Sequence, residues 1–121
     1  MANTFKVINF AAEPNSAGTP FTMYTVASST TTVVLGLILA NINTTAVTAE
    51  VELVSTTSNR AGANNASNGT SFLIKDVTIP TGSSLELLSG GKVVLEAGDV
   101  IRIDCSVADK LSGTLSVMEI T

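Results

Sequence analysis

The fold is decided by residues 79–103, which read IPTGSSLELLSGGKVVLEAGDVIRI. Apolar and polar residues alternate in short segments of this stretch, most clearly at residues 85–87 and 101–103, so each segment has one apolar and one polar face. Three clusters, Pro-Thr-Gly, Ser-Gly-Gly and Ala-Gly-Asp, supply the fixed or positive φ angles that tight turns need. The stretch therefore predicts three short strands joined by turns, and it contains no obvious reactive group.

Strand patterns also fill the rest of the chain, and no segment shows apolar residues at helical spacing. Residues 33–40 form the most apolar run and are expected to be a strand buried on both faces. In residues 47–54 the alternation places Glu50 and Glu52 outward. The further predicted strands are residues 4–10, 21–26, 31–41, 47–54, 71–79 and 113–120. About nine strands in one domain of 121 residues predict an all-β fold, namely a single antiparallel β-sandwich. The jelly roll is one topology that such a sandwich can have.

The composition indicates a protein that works inside an assembly. The chain is 45% hydrophobic but only 13% charged, against about 25% charged in average globular proteins. Its surface must therefore be covered by Thr, Ser, Asn and Gly, which are easier to dehydrate than charged groups when copies meet.

Several function classes are excluded by what the sequence lacks. The net charge of −4, without a stripe of basic residues, argues against nucleic-acid binding. With no histidine, the chain can build neither a nucleophilic triad nor a His-based metal site. We therefore expect no enzyme activity and no cofactor, and Cys105 is expected to be a small buried hydrophobe. The apolar run 33–40 is too short for a membrane helix, which needs about twenty residues, so no membrane partner is predicted.

Carboxylates are the remaining candidates for chemistry. Five of them near turn ends could bind calcium, although no Asp-x-Asp-x-Asp spacing supports a site and solvated turn carboxylates are the preferred interpretation; they are Asp76, Glu96, Asp99, Asp104 and Asp109. Glu50 with Glu52, or Glu96 with Asp99, could resemble a glycosidase pair, but the chain has few aromatic residues to hold a sugar. In the turn at residues 95–101, Gly98 allows a positive φ and Asp99 can accept hydrogen bonds from turn amides.

Two regions are candidates for contact with a partner. The polar segment 55–70 has no periodicity and is expected to be an exposed interaction loop, with candidate residues Asn59, Arg60, Asn64, Asn65 and Asn68. The N-terminal strands are expected to expose apolar side chains and to pair with a neighbouring subunit. Their candidate residues are Phe5, Val7, Phe10, Phe21 and Tyr24.

Residues 33–120 also carry a series of sequence blocks in a fixed order. The blocks are GLILAN at 36–41, LIKD at 73–76, IPTGSSL at 79–85, GKVVLEAGD at 91–99 and LSVMEI at 115–120. In this order they resemble a widespread group of small virion proteins of tailed bacteriophages. The resemblance implies a phage structural protein without catalytic residues. The Asn-rich insert at residues 55–70 departs from the group's pattern, so no partner specificity carries over to it.

We therefore expect a virion subunit that is made in the bacterial cytoplasm. The leading hypothesis is a capsid decoration or cement protein that binds the major capsid protein in many copies. Such a protein is expected to be a homo-oligomer, and a trimer is one oligomeric state considered. The alternative is a neck, collar or tail component. A host-surface or carbohydrate-binding module is a further alternative from a different class.

Overall fold

The computed structural model describes residues 2–55, 69–88 and 92–121, and within them it contains nine strands and no helix. No segment of these residues forms a helix that is long and apolar enough to cross a membrane. The strands agree with the prediction in number and order, and their bounds differ mainly at the ends of β1, β8 and β9. They are β1 (Asn3–Glu13), β2 (Phe21–Thr25), β3 (Thr31–Asn41), β4 (Val47–Val54), β5 (Thr70–Ile79), β6 (Ser84–Leu87), β7 (Val93–Leu95), β8 (Val100–Cys105) and β9 (Leu111–Ile120).

The strands form two antiparallel sheets that pack face to face. The five-stranded sheet has the order β1-β9-β3-β6, with β7 also paired to β3, and the four-stranded sheet has the order β2-β8-β4-β5. β6 pairs with one half of β3 and β7 with the other half, so these two short strands form one interrupted edge strand. The pairing is nested: β4 with β5, β3 with β6 and β7, β2 with β8, and β1 with β9. This nested order is that of a jelly roll.

The core lies between the inner faces of the two sheets. Its largest fully buried side chains come from both sheets and include Leu37, Leu39, Leu115, Val51 and Ile103. Cys105 is also buried, as expected. The prediction for residues 33–40 was wrong in one respect: β3 alternates, and the side chain of Ile38 is exposed on the outer face. Because nothing packs on the outside of the five-stranded sheet within the described chain, its central strand has only one covered face.

Glycine-containing turns connect the strands at two of the three predicted places. Gly82 has a φ of 72° and Gly98 a φ of 89°, values that favour glycine. The Asp99 carboxylate accepts a hydrogen bond of 3.0 Å from the Glu96 amide, as predicted for this turn. The Ser-Gly-Gly cluster at residues 89–91 lies outside the described residues.

Candidate functional site

A row of apolar side chains crosses the outer face of the five-stranded sheet. Phe5 of β1 pairs with Met118 of β9, and Met118 pairs on its other side with Val33 of β3. Val33 pairs in turn with Val94 of β7. Directly opposite residues in antiparallel strands point to the same face, so these four side chains lie side by side. At the two ends of the row Phe5 is 72% exposed and Val94 is 56% exposed.

Other apolar side chains extend this row into a continuous surface. Val7 is 64% exposed and Ile38 is 44% exposed, and Leu35 lines shallow depressions on the same side of the sheet. Among the outward positions of the described strands in this sheet, Glu86 is the only charged residue. We call this surface the apolar face; it consists of Phe5, Val7, Val33, Leu35, Ile38, Val94 and Met118. An exposed apolar patch of this kind is typical of an interaction site.

The outer face of the four-stranded sheet has the opposite character. The ammonium of Lys75 in β5 lies 3.1 Å from a carboxylate oxygen of Glu50 in β4, and Arg102 of β8 forms an ion pair with Glu52 of β4. Glu52 lies on the outer face, as predicted, but it is buried because the pairing with Arg102 covers its carboxylate. Each of these carboxylates is thus held by a cation of a neighbouring strand, an arrangement that does not suit the two free carboxyl groups of a glycosidase. This face is therefore mainly charged, although Phe72 is exposed on it with the Lys75 ammonium 4.5 Å from its ring centroid.

The predicted subunit-contact residues are distributed over two environments. Phe5 and Val7 are exposed, as expected. Phe10 and Phe21 instead pack on each other edge to face, with ring centroids 5.3 Å apart, and are partly buried against the core. Tyr24 is buried, so the expectation that it is exposed was wrong. Its strand runs over the core, and its hydroxyl is satisfied inside the protein.

A polar network surrounds that hydroxyl and joins the two sheets. The hydroxyl of Tyr24 in β2 donates a hydrogen bond of 2.6 Å to the carboxylate of Glu119 in β9. The same hydroxyl oxygen lies 2.8 Å from the hydroxyl oxygen of Thr32 in β3. The ammonium of Lys6 lies 2.7 Å from the other Glu119 oxygen. Burial, followed by the hydrogen bond to Glu119, raises the pKa of Tyr24 to about 12. Hydrogen bonds from Lys6 and then from Tyr24 lower the pKa of Glu119. Because every member has a partner, we interpret the network as a structural link.

Two of the carboxylates considered for calcium, Asp76 and Asp104, line one depression with Glu50, but the five candidates form no metal site. Within residues 2–55, 69–88 and 92–121, no group of three or more His, Cys, Asp or Glu side chains could hold a metal ion. The Asp104 carboxylate accepts hydrogen bonds from the backbone amides of Gly18 and Cys105. The Asp99 carboxylate accepts a hydrogen bond from the Glu96 amide in the turn before β8. The candidate loop residues Asn59, Arg60, Asn64, Asn65 and Asn68 lie outside the described residues.

Sequence reasoning did not identify most of the apolar face. The apolar run at residues 33–40 predicts a strand buried on both faces for Val33, Leu35 and Ile38, and no sequence pattern distinguishes Val94 or Met118. The alternating positions of these residues indicate a surface that needs to be covered, because a strand with apolar residues on both faces requires either a second layer of the protein or a partner. Only the pairing of β9 with β1 and β3, and of β3 with β7, places Met118, Val33 and Val94 in one row with Phe5.

No protein-family model and no curated protein matches the chain. Among solved structures, it is similar to a chain of the Bacillus endospore appendages, which are described as a novel family of disulfide-linked pili, with 16% sequence identity and a TM-score of 0.47. The similarity covers 99% of this chain and 87% of that chain. A similarity this distant carries no argument about function.

Proposed function

We propose that this protein is a structural subunit that docks on a larger protein assembly through the apolar face. The supporting observation is the row from Phe5 to Val94, which exposes apolar side chains across four neighbouring strands. Removing apolar surface from water is favourable by about 25 cal/mol per Å², and this term offsets the entropic cost of association. The near absence of charge on this face means that little desolvation of charged groups opposes the contact.

The assembly that we propose is the particle of a tailed bacteriophage, because the ordered sequence blocks resemble small virion proteins of such phages. In the leading form of the proposal, the protein decorates the capsid and binds the major capsid protein in many copies. Each bound copy adds stability to the assembled shell by mass action, and the symmetry of the shell repeats the contact. A neck, collar or tail position uses the same face and is the alternative.

A particle-binding experiment with two matched variants tests the face. Val94→Lys places an ammonium in the apolar row, whereas Val107→Lys changes another exposed valine, in the connection between β8 and β9. Purified chains are added to phage particles that lack the subunit, and bound protein is measured after sedimentation. We expect Val94→Lys to weaken binding by about tenfold or more, since burying an unpaired charge costs more than about 1.4 kcal/mol. Val107→Lys should bind like the unaltered chain.

Equal binding by all three chains would contradict docking through the apolar face. Cryo-electron microscopy of the particles with bound subunit then locates the copies. Regular density over the shell supports capsid decoration, and density confined to the neck or tail supports the alternative. Failure of the unaltered chain to bind any part of the particle would contradict the phage proposal itself.

A further inference from the structure

Within the part of the chain that the structure describes, no strand pairs with the outer edge of β1, which presents backbone hydrogen-bonding groups. Ala2 and Thr121 exchange both of their backbone hydrogen bonds, and the pairing with β9 continues without a register shift from Asn3 to Phe10. In an antiparallel pair, hydrogen-bonded and non-hydrogen-bonded residues alternate. The N–H and C=O groups of every second residue therefore point away from β9, and these residues are Asn3, Phe5, Val7 and Asn9.

The other three sheet edges have features that discourage strand addition. β6 and β7 are four and three residues long, and β2 has five residues and a register shift after Thr22. β5 carries Lys75, a positive φ at Asp76 and two register shifts against β4. β1 differs from all of them, because it has a regular run of eight residues that a bulge interrupts only after Phe10.

We propose that the β1 edge pairs antiparallel with the β1 edge of a second copy of this chain, around a twofold axis. A twofold contact uses the same surface on both partners, so one run of outward amides and carbonyls supplies both sides of the ladder. The two five-stranded sheets then become one continuous sheet. Phe5 and Val7 of both copies lie on the same outer side, so the apolar face continues across the junction.

The charges at this edge do not oppose a second copy even though each chain carries a net charge of −4. Lys6 is the one charged residue in the regular run of β1, and its ammonium is directed to Glu119 of its own chain at 2.7 Å. Pairing of two such edges therefore brings no acidic side chain of the regular run against another and leaves the Lys6 charge with its partner. The acidic residues Glu50 and Glu52 lie on the other sheet, where Lys75 and Arg102 pair with them.

The proposal is tested on the purified full chain, so its outcome is separate from that of particle binding. In the decisive variant, Val7→Pro, the lost N–H is one that points away from β9, and proline is tolerated at such edge positions. We expect the unaltered chain to sediment with twice the mass of one chain and Val7→Pro to sediment as a single chain with a near-native circular dichroism spectrum. Val7→Lys is the second variant, in case proline impairs folding, and should also lose the pairing.

Two further measurements separate edge pairing from other associations. Val94→Lys alters the apolar face at the opposite edge of the sheet, so it should remain a dimer. Amide exchange followed by NMR should show concentration-dependent protection at Phe5, Val7 and Asn9, while Lys6 and Ile8 are protected at all concentrations because they bond to β9. A monomeric unaltered chain would overturn the proposal. A dimer that is lost in Val94→Lys but kept in Val7→Pro would overturn it as well and would indicate face-to-face packing.

Discussion

The hydroxyl of Tyr24 donates a 2.6 Å hydrogen bond to Glu119, and this bond connects the four-stranded sheet to the five-stranded sheet. The two residues are 95 positions apart in the chain. Together with the contact of Tyr24 to Thr32 and the hydrogen bond from Asn41 to the Ile79 carbonyl, this bond is one of the directional links that fix how the sheets are placed against each other.

Replacing Tyr24 by phenylalanine tests this link. The change keeps the buried ring but removes the hydrogen bond to a carboxylate, and we expect the free energy of unfolding to fall by about 1.5–3 kcal/mol. Urea unfolding of Tyr24→Phe, Glu119→Gln and the double variant measures the coupling between the two residues. Strictly additive losses would contradict a direct interaction.

Alkaline pH should destabilise the protein through the same residue. The pKa of Tyr24 is raised to about 12, against about 10 in an unfolded chain. The folded state therefore holds this proton more tightly, and its contribution to stability is complete below about pH 10 and is lost as pH rises towards about 12. The chain has one tyrosine, so the ultraviolet absorbance of tyrosinate reports this group alone. Burial is the larger cause and remains in Glu119→Gln, so the apparent pKa of Tyr24 should move only part of the way towards 10 in this variant. An unchanged titration would be evidence against a contribution from the hydrogen bond to Glu119.

Acid pH should weaken the protein through Glu119. Hydrogen bonds from Lys6 and from Tyr24 lower the pKa of this carboxyl, so its contribution is complete above the unfolded value of about 4.3 and is lost as pH falls through the lower folded pKa. Unfolding free energies measured across this range should depend less on pH in Lys6→Met than in the unaltered chain. The control Lys92→Met removes an exposed ammonium elsewhere and should keep the original slope.

Two glycines in the five-stranded sheet should respond differently to alanine. A Cβ atom at Gly113 would lie 2.5 Å from Cε2 of Phe10, whereas a Cβ at Gly36 would meet nothing within 4 Å. Because the ring of Phe10 is held against Phe21, we expect Gly113→Ala to lower the free energy of unfolding by about 1–3 kcal/mol. Gly36→Ala should be neutral or slightly stabilising. Equal thermal melting temperatures for the two variants would argue against this close packing.

Asn41 should be intolerant of replacement by aspartate. Its buried side-chain amide donates hydrogen bonds to the backbone carbonyls of Thr45 and Ile79 at 3.0 and 2.9 Å. Its side-chain oxygen accepts a hydrogen bond from the backbone N–H of Asn43. An ionised carboxylate cannot donate and would face two carbonyl oxygens, so we expect a loss of about 3 kcal/mol in chemical denaturation at neutral pH. Asn43→Asp, at the less buried neighbour, should cost less than about 0.5 kcal/mol. The reverse order would show that the bonds of Asn41 are not the reason.

Local sequence was sufficient for much of the fold. Alternation at residues 85–87 and 101–103 predicted strands that the structure contains, and Gly98 with Asp99 predicted a turn that forms with the expected hydrogen bond. These features depend on neighbours within a few positions of the chain, where side-chain direction and backbone φ are set by the residues themselves. The jelly-roll order was among the expected forms, but no local pattern selects it.

The candidate site depended on contacts between distant residues. Phe5 and Tyr24 are both aromatic residues of predicted strands, yet one is exposed on an outer face and the other is buried beside Glu119. Glu52 follows the outward pattern of its strand but is covered through Arg102, 50 positions later. The sequence by itself determined strands, turns and the absence of histidine chemistry. Only the tertiary structure decided which apolar residues share a surface, because strand order and register join Phe5, Met118, Val33 and Val94 across pairings that no local periodicity encodes.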